Sequence, residues 1–121
     1  MNTSRAGSPG AAVGPYSGPS IARGKPMPAY IIAMMTVTKP DAYEGYRTLA
    51  GAAVARHGGR FLARGGKHEV LEGAFPGKRV VILEFENYAK AKAFYDSPEY
   101  LPAREQRRGA AEFNLLIVDG A

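Results

Sequence analysis

The stretch RVVILEF, residues 79–85, is apolar in both phases of a period of two. Along an extended strand Val81, Leu83 and Phe85 point one way, and Val80 and Ile82 point the other. Two more stretches repeat the pattern. In AYIIAMMTV (29–37), Ile31, Ala33 and Met35 oppose Tyr30, Ile32 and Met34. In FNLLIVDG (113–120), Phe113, Leu115 and Ile117 oppose Leu116 and Val118. An antiparallel sheet with helices on one face alternates apolar and polar residues. These strands do not, so their sheet needs a cover on each side.

The segments between them supply one cover. Pro40, Asp41 and Glu44 suit a helix's first turn, where proline is tolerated and acids complement the dipole. Tyr43, Tyr46, Ala50, Ala53, Val54 and His57 then recur at spacings of three and four, one face of a helix that Gly58-Gly59 ends. YAKAKAFYD (88–96) predicts a second helix. SPEY opens a third, short one, with Ser97 as cap and Pro98 in the first helical position. RFLAR and HEVLE predict short strands on either side of Gly65-Gly66. The order β-α-β(β)-β-α-β is that of an α+β, ferredoxin-like sandwich with an antiparallel sheet. Its two main helices cover one face. A second copy of the chain is the simplest cover for the other, which predicts a face-to-face homodimer.

Composition narrows the setting. Residues 1–26 are rich in Gly, Pro, Ser and Ala and show no periodicity, so they are expected to form a disordered N-terminal extension. The domain is expected to span 27–121, opening at Met27. The absence of cysteine excludes disulfides and thiolate chemistry and suits a cytoplasmic protein. No apolar run reaches the roughly 20 residues that span a bilayer, and the first residues hold no long apolar leader. Net charge is +5, but Arg5, Arg23 and Lys25 precede Met27 with no acid among them, which leaves +2 for the domain. So mild a charge weakens the case for a nucleic-acid partner.

Glycine pairs bracket GGRFLARGGKHEVLEG, residues 58–73. A phosphate-binding loop would need a glycine where Phe61 stands and a hydroxyl where His68 stands. A single Arg64-Gly65-Gly66 is not an arginine–glycine repeat. The expectation is therefore structural: Gly58-Gly59 leaves a helix and Gly65-Gly66 turns a two-residue hairpin. The same topology serves an RNA-recognition module, but Val80 and Ile82 occupy the places where its base-stacking aromatics stand. Without those π-faces the sheet offers bases no platform, and no nucleic-acid binding is expected.

GGRFLARGGKHEVLEG, RVVILEF, AFYDSPEY, Arg107 and NLLIVDG together resemble a small bacterial family, domain of unknown function 1330. The resemblance covers residues 27–120. It implies the dimeric α/β-barrel superfamily, in which two ferredoxin-like sheets pack face to face. That superfamily includes cofactor-free monooxygenases, isomerases, decarboxylases and haem enzymes. The family has no established activity, so the resemblance assigns no catalytic residue. Many members carry glutamine after SPEY, where this chain has Leu101.

Candidate chemistry rests on a few polar residues among apolar ones. Glu84 interrupts a strand and shares a face with Val80 and Ile82; Arg64 ends its strand on the face of Arg60 and Leu62. Should those faces coincide, Arg64 and Glu84 form a charge pair lining a cavity, able to bind an acidic substrate or shuttle a proton. The blander reading, a purely structural pair or two solvated strand ends, is the more usual one. Tyr95, Ser97 and Tyr100 cluster at a helix break, where phenols can orient a ligand or simply pack with hydroxyls outward. Arg104, Arg107 and Arg108 make a basic patch that could attract an anion or remain a solvated face. His57 and His68 lack the spacing of a metal pair, so no metal and no cofactor are expected, and no nucleophile–base–orienter triad is visible.

The expected function is binding of a small anionic or aromatic metabolite, with cofactor-independent turnover of the monooxygenase or isomerase kind as its enzymatic form. Tyr46, Arg64, Glu84, Tyr95, Tyr100 and Arg107 are the expected ligand-binding residues, with Glu84 and Arg64 the catalytic candidates. The alternative is a non-enzymatic dimerisation or small-ligand regulatory module. An enclosed pocket with converging polar groups favours the first and a filled barrel the second.

Overall fold

The computed structural model describes residues 27–121. The extension expected over 1–26 lies outside the described residues. Seven elements follow in order: β1 (Ala29–Val37), α1 (Pro40–Arg56), β2 (Arg60–Arg64), β3 (Arg79–Phe85), α2 (Tyr88–Tyr95), α3 (Leu101–Gln106) and β4 (Ala111–Asp119). The strands form one antiparallel sheet in the order β2-β3-β1-β4. This is the ferredoxin-like α+β fold.

Local chemistry explains the boundaries. Pro40 stands in the first turn of α1 with Asp41, and Arg56 in the last, each favourable to the helix dipole. Gly58 adopts φ 73°, and the Gly59 N–H donates back to the Val54 carbonyl at 2.9 Å, closing the helix end. Asn87 caps α2 by accepting from the Lys90 N–H at 2.8 Å. Ser97 ties α2 to α3: its Oγ donates to the Phe94 carbonyl at 2.8 Å and accepts from the Tyr100 N–H at 3.1 Å. The segment 98–100 is a turn, so α3 starts at Leu101, three residues later than proline placement predicts.

One face of the sheet carries the core. Ala29, Ile31, Ala33 and Met35 of β1 and Val81, Leu83 and Phe85 of β3 are buried against the helices. Phe94 and Tyr100, each 1% exposed, pack with ring centroids 4.5 Å apart, and Phe85 stacks on Phe94 at 5.1 Å. Each such side chain contributes about 1.5–3 kcal/mol through burial alone. Among the described residues the opposite face stays open. Leu116 and Val118 are 55% and 42% exposed, beside the half-buried Tyr30, Ile32, Met34, Val80 and Ile82.

The hairpin expected at Gly65-Gly66 does not form, and HEVLE is no strand. Gly65 takes φ 75° and its N–H donates to the Val80 carbonyl at 2.9 Å, ending β2 on β3. β2 is then the edge strand, and the chain leaves the sheet as a loop until β3. Without a partner for its backbone, an alternating sequence gains nothing from being extended. The loop instead overlies the open face. Val70, Leu71 and Phe75, all exposed, border a concavity of about 470 Å³ floored by Met34 and Val80. No helix among the described residues is long and apolar enough to cross a membrane.

Candidate functional site

The site is built where α1 crosses the helix-covered face of the sheet. Its apolar walls come from β1, β3 and Phe61, and enclose a cavity of about 30 Å³, room for roughly one water-sized group. Two phenols meet in this layer. Tyr46 projects from the buried face of α1 and Tyr100 from the turn before α3, and their hydroxyl oxygens lie 2.8 Å apart. Tyr100 also accepts from Arg107 Nη1 at 3.5 Å. Arg107 is held by a cation–π contact, its Cζ 3.9 Å from the centroid of the Phe113 ring.

Burial decides how these phenols behave. It pushes the Tyr46 hydroxyl far above the ordinary tyrosine range, and Tyr100, Tyr43 and their hydrogen bond reinforce it against the opposing Arg107. Burial also raises Tyr100, although Arg107 and the bond to Tyr46 pull the other way. Both phenols are therefore neutral at physiological pH and serve as hydrogen-bond groups, not bases. Two hydroxyls carry two hydrogens, and the shared bond uses one. Arg107 can only donate, so it takes up none. One phenolic O–H is left for a ligand oxygen.

The mouth is cationic. Arg47 of α1, Arg64 at the end of β2 and Arg79 at the start of β3 all line the cavity. Arg64 lies over the Phe61 ring, Cζ 3.9 Å from its centroid, and donates through Nη2 to the Arg47 carbonyl at 3.3 Å. Arg79 donates to the Arg64 carbonyl at 3.5 Å. Desolvation lowers the Arg64 pKa from its ordinary value, with repulsion from Arg47 and Arg79 adding to it.

Of the expected binding residues, the fold brings Tyr46, Arg64, Tyr100 and Arg107 to this site. Tyr95 packs behind Tyr100, centroids 5.9 Å apart, and faces an outer concavity that it shares with Arg107 and Lys92. The Arg64–Glu84 pair does not exist. β2 carries a bulge between Phe61 and Ala63, so Arg60 stands opposite Glu84 while Arg64 stands opposite Val81. One extra residue in a period of two turns Arg64 onto the helix-covered face and leaves Glu84 on the open one. Glu84 pairs instead with Arg60, at 2.7 Å.

The basic patch on the third helix also divides. Arg104 stacks over Tyr95 at 4.3 Å and Arg108 pairs with Glu105 at 2.9 Å, which leaves Arg107 alone at the phenols. His57 Nε2 lies 2.8 Å from Glu99, and that hydrogen bond, before any other cause, lowers the Glu99 pKa. Among the described residues no three His, Cys, Asp or Glu side chains gather as metal ligands.

Sequence reasoning missed Arg47 and Arg79. The signals were present. Arg79 is in phase with Val81, Leu83 and Phe85, and Arg47 lies four residues after Tyr43 and three before Ala50. Both belong to faces already assigned to the core.

Comparison with known proteins follows the same lines. The family described as Domain of unknown function (DUF1330) matches residues 28–121. No curated protein matches the chain. Among solved structures, it is similar to RPA0582, a protein of unknown function from Rhodopseudomonas palustris, with 22% identity, TM-score 0.61, and 78% of this chain and 83% of that one covered. It is also similar to SnoaB, a cofactor-independent oxygenase from Streptomyces nogalater, with 14% identity, TM-score 0.55, and coverage of 78% and 94%. A dimeric ferredoxin-like protein of unknown function from Thermobifida fusca YX matches with 14% identity, TM-score 0.53, and coverage of 85% and 99%. At these identities the likeness is one of fold. With its family's profile matched over nearly the whole described region, the chain belongs to the DUF1330 family.

Proposed function

We propose that this chain binds a small oxygenated metabolite in the cavity between α1 and the sheet, and that it does so as a homodimer. One observation carries the reading: a neutral, buried phenol pair with a hydrogen to spare stands in an otherwise apolar layer. Leaving such a donor unmatched is costly, whereas a ligand hydroxyl or carbonyl matches it. The narrowness of the cavity fits a single oxygen-bearing end, with the remainder of the ligand in the mouth.

Turnover without a cofactor, of the kind named for SnoaB, is the enzymatic form of this reading. In it the phenols would hold charge that develops on the ligand oxygen. The non-enzymatic form, a ligand-responsive module, has its own support: among the described residues no carboxylate or imidazole lines the cavity to serve as a base. The open sheet face, with its overlying Val70, Leu71 and Phe75, supports dimerisation through that face. The functional unit is residues 27–121, and its cysteine-free composition suits the cytoplasm.

A thermal-shift screen of small oxygenated metabolites, followed by calorimetry and oxygen uptake on each hit, tests the site. A hit should bind about tenfold less well to Tyr46→Phe, the loss of one hydrogen bond. No hit, or hits indifferent to both Tyr46→Phe and Tyr100→Phe, would refute the binding reading. Light scattering should give about twice the 12.9 kDa chain mass, falling to one chain in Ile82→Glu. A wild-type monomer would refute the assembly.

A further inference from the structure

The three arginines at the mouth do more than border it. Among the described residues, neither Arg64 nor Arg79 has a carboxylate within ion-pair distance; Arg47 alone is paired, with the exposed Glu44 at 3.1 Å. The Nε groups of Arg47 and Arg79 are buried with no hydrogen-bond partner. The remaining bonds of the cluster run to two backbone carbonyls, at 3.3 and 3.5 Å, and leave most guanidinium N–H groups unused. Three like charges with a single exposed carboxylate among them favour a further anion between them.

The cluster is also shaped. The Arg64 guanidinium carbon stands 3.9 Å from the centroid of the Phe61 ring, which fixes where the group sits. Gly65 makes room for Arg79: a Cβ there would stand 2.0 Å from Arg79 Nη1. An outer concavity of about 370 Å³, lined by Glu44, Arg47, Thr48, Gly51 and Arg64, shares Arg47 and Arg64 with the mouth. The planar guanidinium fork is complementary to a planar, two-oxygen anion.

We infer that Arg47, Arg64 and Arg79 form a receptor for a carboxylate, so that the ligand is a small carboxylic acid whose other end bears a hydroxyl or carbonyl oxygen. The second half of this rests on the binding reading above; the first half stands on the arginines alone. The carboxylate sits at the mouth, and the second oxygen faces Tyr46 and Tyr100. Glu84, on the opposite face of the sheet, takes no part.

The two halves separate in one set of titrations at constant ionic strength, with chloride as the reference salt. Formate probes the head group alone. It should raise the melting temperature saturably in the wild type, and Arg64→Met and Arg79→Met should abolish the effect. Arg64→Lys, which keeps the charge and loses the fork, should retain only part of it. Removing one of three clustered cations should not itself lower the melting temperature. By calorimetry, 4-hydroxybenzoate should bind about tenfold or more tightly than 4-hydroxybenzamide, the margin of a charge-assisted bond, and Arg64→Met should erase that margin.

Saturation by inorganic phosphate but by neither carboxylate would overturn the carboxylate assignment in favour of phosphoryl ligands. No anion effect beyond chloride, or equal binding of acid and amide, would overturn the receptor itself. Tyr46→Phe distinguishes the underlying reading. It should weaken 4-hydroxybenzoate and leave formate unchanged. If 4-hydroxybenzoate is unaffected by Tyr46→Phe yet lost in Arg64→Met, the phenols are not the ligand's second contact and the arginine receptor stands.

Discussion

Removing both buried phenol oxygens should cost less than removing either one. Tyr46 and Tyr100 are 9% and 1% exposed, with their oxygens 2.8 Å apart. Tyr46→Phe leaves the Tyr100 hydroxyl with only the long contact to Arg107 at 3.5 Å. Tyr100→Phe strands the Tyr46 hydroxyl and deprives Arg107 of its acceptor. Each single change should therefore destabilise by about 1–3 kcal/mol, with Tyr100→Phe the larger. The double change replaces two polar groups by apolar ones of the same shape, leaves only the long Arg107 contact unmatched, and should cost under about 1 kcal/mol. The cycle then gives a coupling of about 2 kcal/mol. For a domain of this size each kcal/mol moves the melting temperature by about 4–8 °C. Urea and thermal denaturation of the four proteins, at one fixed protein concentration because assembly shifts apparent stability, measures it. A double variant whose loss equals the sum of the singles would refute the reasoning, since the two hydroxyls would then be independently solvated.

The same phenols set the alkaline limit. Their folded pKa values lie above the usual 10, so the stability they confer is complete below pH 10 and is lost as pH rises beyond it, while the unfolded chain ionises first. Each phenol should contribute a fall of about 1.4 kcal/mol per pH unit in that range, and Tyr46→Phe/Tyr100→Phe should flatten the alkaline limb; an unchanged limb would refute it. Glu84→Gln should leave ligand affinity unchanged within error, because the carboxylate lies across the sheet from the cavity; a tenfold loss by calorimetry would refute that placement. Gly59→Ala should destabilise by about 1–3 kcal/mol, because a Cβ would stand 2.5 Å from the buried Phe85 ring, whereas Gly66→Ala meets open space and should leave the melting temperature within a degree or two of its neighbours' scatter.

The sheet and its helices were legible in the chain because period and burial are local properties. Val81, Leu83 and Phe85 announce a strand wherever they fold, and Tyr43, Tyr46, Ala50 and Val54 announce a helix face. The same alternation predicted which residues would be buried in β1, and the doubled pattern predicted an uncovered face, seen in Leu116 and Val118. Tyr46, Tyr100 and Arg107 were identifiable one by one as polar groups on or near apolar faces. Their meeting was not, because residues 46 and 100 are joined only through the packing of α1 against the turn before α3. The bulge in β2 was decided by pairing with β3, and that single inserted residue moved Arg64 from the face of Glu84 to the face of Tyr46. HEVLE shows the converse. Its alternation is strand-like, but a strand exists only when another backbone accepts its hydrogen bonds, and β3 had already taken β2 as its neighbour on that side.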